Sequence, residues 1–252
     1  MNKLYPLLYV LFLFISEQVF SQVNPKDSAI STSMVTASYS YQVPGNDLAK
    51  RFLPNNSIGA GYLYKTRKNW IFGADGFFMF RDTIKETNIF DSISTSDGNI
   101  IDGNGLYADF HLYERGFLMG VKCGKLFPVI EKYPNSGIIL LGTLGFLQHK
   151  IRIENSDNAA PQIKGDYKKG YDRLTNGLAV SEFIGYMHMS DSRLFNFYAG
   201  FEFTQGWTQS RRSYNFDTMK KDLTKRMDVL YSFKIGWIIP LYKRMPESYY
   251  FN

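Results

Sequence analysis

Chemistry in this 252-residue chain would have to be built from three histidines, one cysteine and scattered carboxylates and lysines. His111 stands two residues from Asp109, so on an extended strand the two share a face. A carboxylate that orients an imidazole can help to activate a nucleophile, but the same spacing also describes an ordinary ion pair. His149 and His188 fall in separate segments. No HExxH, P-loop, GxSxG or zinc-ligand spacing occurs, so the chain reads as a non-enzyme with no metal and no cofactor. Cys123 is the only cysteine and cannot form an intrachain disulfide. Beside Phe117, Met119 and Val121 it reads as a small apolar residue on an outer face rather than a reactive thiol.

The elements that would carry these groups are strands. In Phe195–Thr204 the residues Phe195, Phe197, Ala199, Phe201 and Phe203 fall on one face and Asn196, Tyr198, Gly200, Glu202 and Thr204 on the other. This two-residue period returns in Met34–Val43, Ile58–Tyr64, Trp70–Phe80, Leu106–Leu112, Phe117–Gly124, Ser136–Ile153, Gly177–Met189 and Met227–Ile239. A short turn is expected at Glu114–Gly116, and one further short strand is expected near Leu126–Lys132. Long polar loops are expected at Arg81–Asn104, Asn155–Asn176 and Gln209–Lys225, and a turn at Ser190–Ser192. The Tyr249–Phe251 region could supply an additional strand. The fold class that follows is all-β: an antiparallel transmembrane β-barrel of eight to ten strands, ten preferred, with aromatic rows toward lipid and polar rows toward a lumen.

On that reading Asp75, Asp109, His111, Lys122, Glu202, Asp228 and Lys234 face inward. Both signs are present, and a barrel this narrow is filled by its own side chains. An internal salt-bridge plug is therefore expected over a selective pore.

The N-terminus, with Lys3, the apolar run Leu7–Ile15 and Val19-Phe20-Ser21 before Gln22, has the form of a cleaved signal peptide over residues 1–21. Residues 22–252 would then form one barrel domain. Aromatics make up 17% of the chain, more than an ordinary soluble core requires, and no later stretch is apolar over the ~18–20 residues of a membrane helix. The net charge of +6 concentrates in two loops. Lys168, Lys169 and Arg173 lie in one; Arg211, Arg212, Lys220 and Lys221 lie in the other. With nearby Tyr167, Tyr171, Tyr214 and Phe216 they are candidates for binding lipopolysaccharide phosphates or an acidic protein surface. Nucleic acid is not expected as a partner of an exported chain.

The signal end Val19-Phe-Ser-Gln22, the stretch from Asn135-Ser-Gly137 to Gly145-Phe-Leu-Gln-His-Lys150, and the closing Gly236-Trp-Ile-Ile-Pro-Leu-Tyr-Lys-Arg244 resemble the small outer-membrane β-barrel proteins of Bacteroidota. That class includes barrels associated with type IX secretion and gliding. The resemblance implies outer-membrane lipid and lipopolysaccharide around the barrel, and a structural or accessory role beside an envelope protein partner. A narrow channel or hydrophobic-ligand transporter is the first alternative. A soluble exported lipocalin-like binder, with the aromatic rows inside, is the second.

Overall fold

The computed structural model describes residues 28–190 and 195–241. The expected signal peptide, most of the Ser190–Ser192 turn and the Tyr249–Phe251 region lie outside them. Alternation at every second residue buries one face of each strand and exposes the other. Eight such strands close into an up-and-down antiparallel ring: β1 (Thr32–Asn46), β2 (Asn55–Lys65), β3 (Trp70–Arg81), β4 (Phe110–Pro128), β5 (Gly137–Asn155), β6 (Thr175–His188), β7 (Phe197–Ser210) and β8 (Lys225–Pro240). Closure of β8 on β1 leaves no sheet edge unpaired.

The count is eight, the lower end of the expected range, and not the preferred ten. The expected turn at Glu114–Gly116 does not exist: β4 runs through it, paired with β3 on one side and β5 on the other. Leu126–Pro128 is the end of β4 rather than a separate strand. Among the described residues no helix is long and apolar enough to cross a membrane.

A register row that leaves β1 at Val35 passes Tyr62, Ala74, Val121, Leu144, Val180, Gln205 and Val229 and returns to β1 at Gly45, ten residues further on. Eight strands with that stagger tilt by roughly 40° and leave an interior that side chains alone can fill. The long connections 47–54, 82–109, 156–174 and 211–224 share one end, and the short ones share the other with both ends of the described chain.

The aromatic rows point outward. Tyr39, Tyr62, Phe72, Phe78, Phe201, Tyr231, Phe233 and Trp237 are all exposed on the outer wall, Phe201 to 66%. The lipocalin-like alternative required these rows inside, so the geometry overturns it. The interior instead holds two apolar clusters. The lower one contains Met34, Leu63, Ile71, Leu126, Ile139, Phe183 and Tyr198. The upper one runs from Phe77, Met79, Leu118 and Leu147 of the wall into Phe52, Ile89, Phe90, Ile100, Ile163 and Tyr171 of the long loops.

Candidate functional site in the lumen and the loop cap

Between the two apolar clusters lies a layer of four charges from four strands. Lys122 Nζ of β4 is 2.6 Å from Asp75 Oδ2 of β3 and 3.7 Å from Glu202 Oε1 of β7. Lys234 Nζ of β8 is 2.5 Å from Glu202 Oε2 and 4.0 Å from Asp75 Oδ2. It also lies 5.1 Å from the centre of the Phe77 ring. Strands β4 and β7, and likewise β8 and β3, are not neighbours in the ring, so these contacts cross the lumen. Two cations and two anions make the layer neutral, and burial on all sides makes each charge dependent on the others. The void beside it, bordered by Asp75, Lys122 and Tyr198, measures about 10 Å³. That is about room for one water molecule.

Asp228 is separate from this layer. Its Oδ2 accepts a 2.8 Å hydrogen bond from His149 Nε2 across the lumen and a 2.5 Å one from Thr208 Oγ1 of the adjacent strand. Phe52 packs edge-on against the His149 ring at 5.4 Å and closes the site from above. A carboxylate, an imidazole and a hydroxyl are thus together, but the hydroxyl donates to the carboxylate rather than facing the ring. The pair is sealed under the loops, where no substrate reaches it.

Asp109 and His111 are not in the lumen. Asp109 precedes β4 and His111 is on its outer face, with side chains 70% and 57% exposed and 3.8 Å apart. Ser156 Oγ donates to Asp109, and the His111 ring stacks on Tyr113. The error has one cause. A turn inserted at Glu114–Gly116 resets the strand parity, and a one-residue change of parity sends every side chain to the opposite face. With β4 continuous, Glu114 becomes the inward residue. It is fully buried and accepts a 2.8 Å hydrogen bond from Asn55 Nδ2.

The loops form a cap rather than separate arms. Helix α1 (Leu48–Arg51) tips Arg51 over the mouth, where Nε donates to Glu86 at 2.9 Å and Nη1 to Thr175 Oγ1 at 3.1 Å. Arg173 is buried, forks onto Asp217 with bonds of 2.8 and 2.5 Å, and donates to Glu86 at 3.1 Å. Burial pushes the Asp217 carboxyl up, but the hydrogen bond and charge of Arg173 outweigh it and hold the group below its ordinary range. Arg212 forks onto Asp172, and Arg211 donates to Asn176 Oδ1 at 2.6 Å. Backbone bonds from Arg211 to Leu174 and from Phe216 to Gly170 tie the last two long loops together. The Phe90, Tyr171 and Phe216 rings stack edge-on at 5.1 and 5.4 Å between three loops.

The seven basic candidates therefore divide. Arg173 and Arg212 are internal struts, Arg211 is tied to Asn176, and Lys169 pairs with Asp166 at 2.6 Å. Lys168 is half-buried, and its carbonyl accepts the Tyr171 and Asp172 N–H groups. Lys220 and Lys221 are exposed, and the described residues give neither an ion pair. Of the four loop aromatics, Tyr171 and Phe216 are packed within the cap, while Tyr167 and Tyr214 reach solvent.

No protein-family model and no curated protein sequence matches the chain. Among solved structures, that of Ail, the attachment invasion locus protein of Yersinia pestis, is similar over 83% of this chain and 99% of its own length, at 10% identity and a TM-score of 0.45. Neisserial surface protein A is similar over 82% of this chain and 96% of its own, at 10% identity and a TM-score of 0.42. At these values the likeness says nothing of activity, ligand or partner.

The sequence offered little sign of the remaining functional groups. Arg51, Phe52 and Glu86 belong to short polar segments whose role appears only once the loops pack on one another. Lys65 closes the opposite end: its Nζ donates to Ile30 O at 3.1 Å and Asn135 Oδ1 at 2.8 Å, fastening the chain before β1 to the β4–β5 turn. As the first residue of the polar run Lys65–Asn69 it reads as part of a turn, whereas it is the last residue of β2 and is buried.

Proposed function

We propose that the chain is an integral outer-membrane β-barrel, exported through its N-terminal signal and lacking catalytic activity. In this reading it serves as a structural or accessory component of an envelope complex. The observation that carries it is the closed ring whose outer wall is apolar and whose lumen is filled. Large apolar side chains exposed around a whole barrel need hydrocarbon rather than water. The loop cap supports a role in presenting a fixed surface: its charges are spent mainly on one another, leaving Lys220 and Lys221 with the exposed Tyr167 and Tyr214 to meet lipopolysaccharide phosphates or an acidic protein. The resemblance to Bacteroidota barrels makes the type IX secretion and gliding apparatus the system to examine first.

Fractionation tests the membrane part. The mature protein is expected to stay with envelopes through carbonate and salt washes and to migrate faster on gels when unheated; release by either wash would sink the reading. A narrow channel is the competing use of the same fold. The neutral four-charge layer and the capped mouth weigh against it, and planar-bilayer recording is expected to show no stable single-channel steps.

A further inference from the structure

Glu182 is an outward residue of β6. It is exposed on the same face as Leu178 and Ile184, and no hydrogen bond or ion pair reaches its carboxylate from the described residues. Leu178 and Tyr186 lie four residues away on either side, roughly 10 Å along the barrel axis at this tilt. The carboxyl therefore sits near the middle of the apolar wall. A carboxyl there must either give up its charge or find a donor. Cys123, Gly142, Glu182, Phe203 and Tyr231 form one register row. A shallow recess of about 660 Å³ opens over this part of the wall, bordered by these residues, Phe201 and, toward the end of β4, Lys125, whose Nζ lies over the Trp70 and Phe127 rings rather than in an ion pair with Glu182.

Gly142 gives an independent pointer to a neighbour. A Cβ there would meet only the Cys123 carbonyl oxygen, at an ordinary 3.8 Å. The barrel's own packing thus does not require glycine at this outward position. A strand glycine without an internal reason marks a place where another backbone can approach closely.

We infer that the β5–β6–β7 wall around Glu182 is a docking face, within the membrane, for a second embedded protein that presents a lysine or arginine at mid-depth. This rests on the integral-barrel reading proposed above. Charge complementarity selects the occupant. The outward residues of the other strands at this depth, such as Tyr39, Ile58, Leu144, Phe201 and Phe233, include no cation, so a second copy would bring carboxylate against carboxylate. Lipid amines belong to the headgroup layer and do not reach the depth.

The test places a photo-cross-linking residue at Phe203, and as a control at Ile58 on the opposite wall, in native envelopes. The expected result is a protein adduct at Phe203 only, lost in Glu182→Leu while heat-modifiable migration is kept. Its cross-linked peptide should contain a lysine or arginine, and Glu182→Lys combined with that residue changed to glutamate should restore the adduct. Lipid adducts alone, an adduct to another copy of this chain, or an adduct undiminished by Glu182→Leu would overturn the inference. Carbonate washing of the same envelopes separates the two claims: retention without the expected adduct leaves the barrel reading intact, and release removes both.

Discussion

Glu202 and Glu182 stand diagonally across the β6–β7 pair, since Phe183 is opposite Glu202 and Glu182 is opposite Phe203. One points into the lumen, the other out of the wall. Inside, Glu202 has two lysines within 3.7 Å. Outside, Glu182 has only apolar and small neighbours on its register row. The barrel supplies its own partners for interior charge, whereas charge on the outer wall depends on whatever surrounds it. Depth alone does not set the cost of a carboxylate; the number of oriented donors around it does.

The largest expected effect comes from breaking the interior set. Glu202→Ala leaves Lys122 and Lys234 sharing Asp75 alone and should cost about 3–5 kcal/mol, because an uncompensated buried charge remains. Reversible urea unfolding in detergent or lipid would measure it. Exchanging all four charged residues together for apolar ones of similar volume should cost much less, which separates pair breaking from the worth of the layer itself.

On the outer side, Phe201→Arg should cost about 2–4 kcal/mol if that wall faces hydrocarbon at mid-depth. The same unfolding measurement applies, and a change near zero would place Phe201 in water or against a protein.

The cap should respond separately from the barrel. Arg173→Ala strands Asp217, leaves Glu86 to Arg51 alone and should weaken loop packing by about 1–3 kcal/mol. Limited proteolysis would read this as faster cleavage in residues 211–224 with the strands protected. The depressed Asp217 pKa gives the pH dependence its sign. Its pairing contributes fully above the unfolded carboxylate value of about 4 and is lost as pH falls through the lower folded value. Wild-type cap protection should therefore decline in acid, and the Arg173→Ala variant should show less of that decline.

The smallest structural effect is expected at the free cations. Lys220→Glu with Lys221→Glu should change stability by no more than about 0.5 kcal/mol. It should also reduce retention of an acidic partner or of lipopolysaccharide, most visibly at low salt, where exposed charges are least screened. Equal binding by both proteins across a salt series would reduce these lysines to solvated charge.

The alternation in Phe195–Thr204 and Met227–Ile239 made the wall legible in the sequence, together with the inward positions of Asp75, Lys122, Glu202, Asp228 and Lys234. The apparent turn Glu114-Arg-Gly116 misled because glycine next to charged residues resembles a loop. Within β4 that glycine has a different reason: a Cβ at Gly116 would lie 2.5 Å from Met79 Cε and 2.7 Å from the Gln148 carbonyl oxygen. Contacts between loops far apart in sequence, such as Arg51 with Glu86 and Arg173 with Asp217, leave no periodic signal. The basic loops therefore looked like binding patches, whereas the arginines Arg173, Arg211 and Arg212 hold the cap together. Glu182 was hidden in the poorer alternation of β6, where a polar outward residue reads as noise.

A filled barrel of this kind should meet lipid with its outer wall. Spin labels at single cysteines, introduced on a Cys123→Ser background, report which solvent each side chain meets. Labels at Ile58→Cys and Val121→Cys should collide readily with oxygen and hardly at all with a water-soluble nickel chelate, while Lys220→Cys should show the reverse. Strong nickel collisions at Ile58 and Val121 in native membranes would mean that the wall meets water.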